Sequence, residues 1–344
     1  MTVAVQSPVV LDRLANVSIA RGAPDLGQRL AALDRWVRAD LVDFEAELAL
    51  LPRGARVVQE AAHHLLDLRG KHLRPTCVAL ASRFGSGFLP RARGLAVAVE
   101  LVHTATLLHD DVVDLAEHRR GKAAACVVYG NAASIFAGDW LLVAALRRIA
   151  AAGVDGLLDR MLAVIDEMIL AESLQLERRG RVVADRDEYF RIVEGKTASL
   201  FRWAMLAGAR SAELGASGEH ALDRYGLHLG VAFQAIDDEL DFRTGTGKDP
   251  LVDLREGKMT YPLVVALERD PALRVRIEAA LAEPGAGDFD AIATAVRATG
   301  ALTATRLLAE DHANRALDAL ALLPTGPARD ALETVVLASL ERKS

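Results

Sequence analysis

The sequence predicts an all-α protein, and three observations carry that prediction. Of its 344 residues 51% are hydrophobic, with Ala and Leu dominant, yet only 5% are aromatic, a composition that suits packed helices better than pleated sheet. Apolar residues recur at helical spacing through most of the chain, and no stretch alternates polar and apolar as a half-buried strand would. Two long apolar stretches, at 95–116 and 227–242, each carry the acidic pattern DDxxD. No fixed-period repeat or low-complexity linker interrupts the pattern. The expected organisation is therefore a flexible N-terminal arm over 1–26 and a single domain over 27–344.

Composition also removes function classes. A formal net charge of −6 gives no overall basic character for nucleic acid. The two cysteines, Cys77 and Cys126, have no partner spacing and read as reduced thiols of a cytoplasmic protein. The opening residues, MTVAVQSPVVLDRLANVS, lack the basic segment and long apolar core of a secretory signal. No apolar run approaches the length of about 18 residues needed for a transmembrane helix.

Taken in order, residues 25–51 form an amphipathic pattern that Pro52 ends, and 56–68 a second helix. A basic loop follows, Gly70-Lys71-His72-Leu73-Arg74-Pro75, with Pro75 in the first turn of the next helix. Residues 85–90 turn into the first aspartate helix. A polar connection over 117–130 holds Arg119-Arg120-Gly121, and 131–152 is a helix containing Gly138-Asp139. Helices follow at 154–178 and 187–209, the latter carrying Lys196-Thr197. The second aspartate helix spans 219–242. Residues 243–258 are Gly-rich and charged, a mobile loop with Lys248 and Lys258. Shorter helices separated by Asp, Pro and Gly turns complete the chain.

At 100° per residue, His103, Asp110 and Asp114 fall within about 40° of one another on the helical wheel, and Asp111 lies beside Asp110. In the second helix Gln234, Asp238 and Asp241 share a face, with Asp237 beside them. Carboxylates buried without partners cost several kcal/mol each, so cations must answer them. Taken alone, one DDxxD is ordinarily a solvated acidic patch. Two copies on two apolar helices suggest aspartate stripes facing a shared ligand. Oxygen ligands suit Mg²⁺, which usually takes one or two carboxylates together with substrate phosphates. The pair therefore points to a diphosphate held by magnesium.

Direct positive contacts to such a diphosphate are available in short clusters. Lys71, His72 and Arg74 stand at a helix start, where backbone N–H groups also favour anions. Arg119 and Arg120 follow the first motif, Lys196 interrupts an apolar helix, and Lys248 follows the second motif. Singly, each basic residue reads as solvated and His103 as a core histidine. Their spacing around both carboxylate stripes is what gives them weight.

These motifs together resemble the trans-isoprenyl diphosphate synthases, or polyprenyl synthetases, from about residue 30 onward. The likeness rests on GKHLRP at 70–75, HTATLLHDDVVD with RRG after it, GDWLL at 138–142, GKTASL at 195–200, FQAIDDELDF at 233–242 and the loop GKDPLVDLREGKMTYPL. Around the first motif the long-chain members look most similar. His72, where members often have Arg, and Ala124–Cys126 after the RRG turn are departures that remove no motif residue.

The resemblance implies the isoprenoid synthase fold, a bundle of long helices around a deep apolar cavity, usually as a homodimer. It implies head-to-tail condensation of isopentenyl diphosphate with an allylic diphosphate to a medium- or long-chain polyprenyl diphosphate, with loose membrane association for product release. By the same resemblance Asp110, Asp114 and Asp237 bind about three magnesium ions, and Asp111, Asp238 and Asp241 support them through waters. Arg119, Lys196, Thr197, Gln234 and Lys248 contact the allylic diphosphate. Lys71, Arg74, His103 and Arg120 contact isopentenyl diphosphate.

A class I terpene cyclase would share the helical fold, but its second motif reads (N/D)DxxSxxxE rather than DDELD, and it needs no second diphosphate site. A non-catalytic subunit would lack a motif that this chain keeps. In the family, bulky aromatics four or five residues before the first aspartate stop chain growth. Here Thr106 and Ala105 stand there, with Val102 one turn further, so a product longer than farnesyl is expected. Phe136, Met161, Ile165 and Met168 are candidates for a deeper floor, which makes a geranylgeranyl product the alternative.

Overall fold

Helix boundaries follow the apolar periodicity and its local stop signals. The computed structural model describes residues 24–68, 70–242, 251–283 and 287–342. The arm expected over 1–26 therefore lies outside the described residues up to position 23. Helix α1, Pro24–Leu48, begins directly there and buries Leu30, Leu33, Val37, Leu41 and Phe44, an unbroken stripe at spacings of three and four. Helices α2 (Val57–Leu66), α3 (Leu73–Ser82) and α4 (Pro90–Val113) follow, α4 with Pro in its first turn as proline's fixed φ favours.

Helix α4 ends three residues earlier than the apolar run suggests. Asp114 caps it, Leu115 turns left-handed at φ 54°, and Ala116 N–H donates to Asp111 O at 2.9 Å. This is a Schellman closure with leucine where glycine is usual, at a cost of roughly 1–2 kcal/mol. The connection after it forms a two-residue hairpin, β1 (His118–Arg119) against β2 (Lys122–Ala123), although the sequence carries no strand alternation. Its turn places Arg120 and Gly121 at φ 51° and 79°, the backbone a tight two-residue hairpin requires.

Helices α5 (Ala125–Tyr129), α6 (Asn131–Ala152) and α7 (Leu157–Arg178) come next. The stretch expected as one helix over 187–209 is built in three parts: α8 (Arg186–Val193), a π-helical turn over Glu194–Ala198, and α9 (Ser199–Ser211). Asp185 caps α8 by accepting from Glu188 N–H at 3.0 Å, with Glu three residues after the cap as in a capping box. Helix α10, Ala216–Asp241, carries the second motif to its last residue. The chain continues through α11 (Val252–Arg255), α12 (Tyr261–Arg269), α13 (Leu273–Ala282), α14 (Phe289–Ala298), α15 (Ala301–Leu320) and α16 (Pro327–Leu340).

The described residues fall into two compact units. The first holds residues 24–162, 203–223 and 323–334, and the second holds 163–202, 224–322 and 335–342. In the first, α4 packs along α6 and against α3 and α1, and the fully buried Trp203 donates to Leu157 O at 3.1 Å. In the second, α12 packs on α15, and α14 lies against both α13 and α15, over a core that includes Tyr189, Phe242, Tyr261 and Phe289. Gly230 lets α10 approach the π turn closely, since a Cβ there would sit 2.5 Å from Ala198 Cα. Among the described residues no helix is long and apolar enough to cross a membrane.

Candidate active site

In the first unit the site is built on the C-terminal half of α4. His103, Thr106, Asp110 and Asp114 share its part-exposed face, while Asp111 turns inward and is 1% exposed. Arg119, returned by the hairpin, donates through Nε to Asp111 Oδ1 at 2.7 Å and also through Nη2 to the same oxygen. Asp111 Oδ2 is buried with no hydrogen-bond partner. Arg120 donates to Leu68 O at 2.5 Å, and its guanidinium lies against Gly70 of the basic loop. The last turns of α4 are fixed from α6. Ser134 Oγ donates to Leu108 O at 2.8 Å, and His109 Nε2 lies 3.1 Å from Ile135 O and 3.4 Å from Asp139 Oδ1. Glycine at 138 makes room for that imidazole, because a Cβ would be 2.2 Å from His109 Nε2.

Sequence reasoning missed Glu100. It is the lone acid of the apolar run before His103, and that position was the available signal. Glu100 Oε1 pairs with His72 Nδ1 at 3.1 Å, and the carboxylate is buried. Burial works to raise the Glu100 carboxyl, but the His72 charge and hydrogen bond, with His103 and Arg120, bring it down to about 2. Burial works to lower His72, and Glu100 more than offsets it, so the imidazole is raised. His103 goes the other way: burial, then Arg74, lowers it to about 3. It is a neutral imidazole at pH 7, a donor of one N–H rather than a second charge.

In the second unit the π turn and α10 carry one network. Thr197 Oγ1 donates to Gln234 Oε1 at 2.9 Å, and Gln234 Nε2 donates to Asp238 Oδ1 at 2.9 Å. Asp238 Oδ2 accepts from Tyr189 Oη at 2.8 Å and from Tyr261 N–H at 3.3 Å. Asp238 is 1% exposed; burial pushes its carboxyl up to about 6 against these hydrogen bonds. Lys196 Nζ lies 2.5 Å from Glu172 Oε2 and donates to Gln175 Oε1 at 3.2 Å. Asp241 accepts from the N–H groups of Val252 and Asp253 at 3.0 and 3.3 Å, and Asp237 accepts from Arg342 at 2.8 Å. π turns recur at functional sites, and this one holds both residues of the Lys-Thr pair.

Asp111, Asp238 and Asp241 each accept direct protein hydrogen bonds. The structure corrects two other expectations. Ala105 and Val102 are packed away at 2% and 1% exposure, so of the three chain-length positions Thr106 is the part-exposed one. Phe136, expected in a cavity floor, is 59% exposed on α6. Lys248 lies outside the described residues. Among the described residues no three His, Cys, Asp or Glu side chains converge on one point. The oxygen-only donors on the part-exposed side of the two motifs, Asp110, Asp114 and Asp237, would suit a hard dication that keeps water and substrate oxygens in its shell.

A profile of the polyprenyl synthetase family matches residues 55–298. The chain belongs to that family. It is 35% identical over 298 residues to an octaprenyl diphosphate synthase of Escherichia coli (strain K12), covering 83% of this chain and 90% of that one. Among solved structures, a decaprenyl diphosphate synthase from Rhodobacter capsulatus superposes with a TM-score of 0.85 at 32% identity, covering 91% of this chain and 99% of that one. A polyprenyl synthase from Caulobacter crescentus CB15, complexed with calcium and isoprenyl diphosphate, gives 0.82 at 34% identity over 97% and 98%. The all-α isoprenoid synthase fold expected from the motifs is borne out, and the chain is a prenyltransferase of the polyprenyl synthetase type.

The Glu100–His72 pair makes stability depend on pH in a defined window. The raised His72 contributes below its ordinary value of 6.5 and loses that contribution as pH rises through its folded-state value. The lowered Glu100 contributes above 4.5 and loses it as pH falls toward about 2. Glu100→Gln should therefore cost about 1.5–3 kcal/mol near pH 6, and progressively less as pH rises through the folded-state value of His72. Urea unfolding across a rising pH series measures this; a loss that stays constant throughout would contradict the assignment.

Proposed function

We propose that this polyprenyl synthetase condenses isopentenyl diphosphate with an allylic diphosphate, head-to-tail and trans, to give a medium- or long-chain polyprenyl diphosphate. The observation that carries the reading is the pairing, in each unit, of aspartates on an apolar helix with nearby cations and donors. Residues 27–344 act as one catalytic domain in the cytoplasm, in keeping with two unpaired, buried cysteines, with loose membrane contact for product release.

Asp110, Asp114 and Asp237 would hold Mg²⁺, about three ions in all. Ions held there would neutralise charge on the diphosphate oxygens and so ease departure of the leaving group. Arg119, Lys196, Thr197, Gln234 and Lys248 bind the allylic diphosphate and stabilise the charge that develops on it as it leaves. Arg119 is shared with Asp111 and Lys196 with Glu172, so both cations are pre-positioned rather than freely solvated. Lys71, Arg74 and Arg120 hold isopentenyl diphosphate, and neutral His103 adds one N–H. The double bond of isopentenyl diphosphate attacks the allylic carbon, and the proton lost from the adduct passes to the released diphosphate. The apolar face of α4 below Asp110 keeps water from the cation.

The long product is supported by the octaprenyl and decaprenyl activities that similar proteins carry in their names and by the small Thr106 on the open face. The geranylgeranyl product and the terpene cyclase are not favoured. Labelled isopentenyl diphosphate with allylic primers, followed by mass analysis, tests the reading. Products longer than farnesyl should form with Mg²⁺ and not with EDTA. Asp110→Ala should lower turnover by orders of magnitude, and Thr106→Phe should shorten the product, because an added ring consumes channel room. Cyclic hydrocarbon products, or Asp110→Ala turnover near wild type, would refute the reading; an unchanged product for Thr106→Phe would refute the length argument alone.

The partner protein is a second copy of the chain. Val127, Val128, Ile135, Phe136 and Val143 expose an apolar strip along α5 and α6, of the kind that marks an interface. Phe136→Asp should convert a dimer to a monomer in light scattering at micromolar concentration. A variant that stays dimeric would exclude this face.

A further inference from the structure

Arg342 stands two residues beyond α16 and reaches the second aspartate motif. Its Nη2 donates to Asp237 Oδ1 at 2.8 Å, and its Cζ lies 3.8 Å from the ring centroid of Phe233, one turn before Asp237 on α10. The Arg342 side chain is 9% exposed and that of Asp237 37%. Among the described residues, its Nε and Nη1 are buried without hydrogen-bond partners. The seat is built by neighbouring elements. Leu340 packs against Ala235, Ile236 and Ala309, Arg306 Nη1 donates to Leu340 O at 2.6 Å, and Arg306 Nη2 donates to Glu341 Oε1 at 3.4 Å.

A guanidinium enclosed with two of its donor groups unused is unfavourable unless its charge is needed. The need here is Asp237, which adjoins a second carboxylate, Asp238, in the helix. The geometry points to Arg342 as the resident counter-charge of Asp237, a positioning residue that an incoming Mg²⁺ must displace. The inference rests on the proposed role of Asp237 as a metal ligand and adds to it a coupling. A dication and a guanidinium on one carboxylate repel each other, so metal binding at the second motif releases the C-terminal turn at 340–342. Removing Arg342 removes the competitor.

Mn²⁺, read by electron paramagnetic resonance on the full chain without substrate, is a suitable probe because it shares the oxygen preference of Mg²⁺. Arg342→Ala should bind one class of Mn²⁺ about tenfold more tightly than wild type, as loss of one charge-assisted contact implies. Arg342→Lys, which keeps the charge but not the planar fork, should lie between. Asp237→Asn should lose that class of site. In hydrogen exchange the amides at 340–342 should open in wild type only with Mn²⁺, and in Asp237→Asn with or without it. This last arm holds even if Arg342→Ala folds poorly. Equal or weaker Mn²⁺ binding by Arg342→Ala, or a protected turn in metal-free Asp237→Asn, would overturn the coupling. If Asp237→Asn kept every Mn²⁺ site, the metal assignment itself would fall.

Discussion

A carboxylate within an apolar helix must find a positive charge or a set of donors, because burial alone would force it to take up a proton. Two helices of this chain carry paired carboxylates, and much of the surrounding structure answers that demand. Each motif divides its first two aspartates. Asp111 and Asp238 turn inward and are held by protein groups, Arg119 for the first and Tyr189, Gln234 and the Tyr261 N–H for the second. Asp110 and Asp237 are left on the more open side. The inner residue is tied into the protein, and the outer one stands on the face where the proposed function places the ligand.

Several irregular backbone features serve this division. The left-handed Leu115 and the Arg120–Gly121 turn reverse the chain so that Arg119 meets Asp111 from the same helix end. The π turn at 194–198 interrupts a helix that could have run straight through and sets Thr197 against Gln234. Gly138 and Gly230 permit the helix approaches that hold His109 and the π turn in place. Strained or rare backbone tends to gather where function requires it; here Leu115 and the Arg120–Gly121 turn directly follow the first motif, and the π turn meets the helix of the second through Thr197 and Gln234.

The all-helical class, the two motifs and the basic clusters were legible because they depend on residue type at fixed spacing. What remained hidden depends on tertiary neighbours. Glu100 is an ordinary-looking acid until His72 is brought to 3.1 Å, and Arg342 is a surface arginine in the sequence but a buried partner of Asp237 in the fold. On the wheel Thr106 lies about 40° from Asp110 and Ala105 about 140°, so the aspartate face already separates the two, and the structure agrees in leaving Thr106 part-exposed and Ala105 buried. Phe136 reads as core by its side chain, whereas its exposed position on α6 reflects a face that the single chain does not cover. The π turn leaves no mark in a sequence whose apolar period continues through it.

The central proposal is that in each unit the outward aspartates and the basic residues near them bind metal and diphosphate in a mutually reinforcing way. Thermal unfolding with inorganic pyrophosphate, Mg²⁺, both, or neither tests it directly, since a ligand that binds only the folded state raises the melting temperature. The account predicts a rise of several degrees with both ligands together, larger than the sum of the rises with each alone. An equal rise with pyrophosphate in EDTA would contradict it.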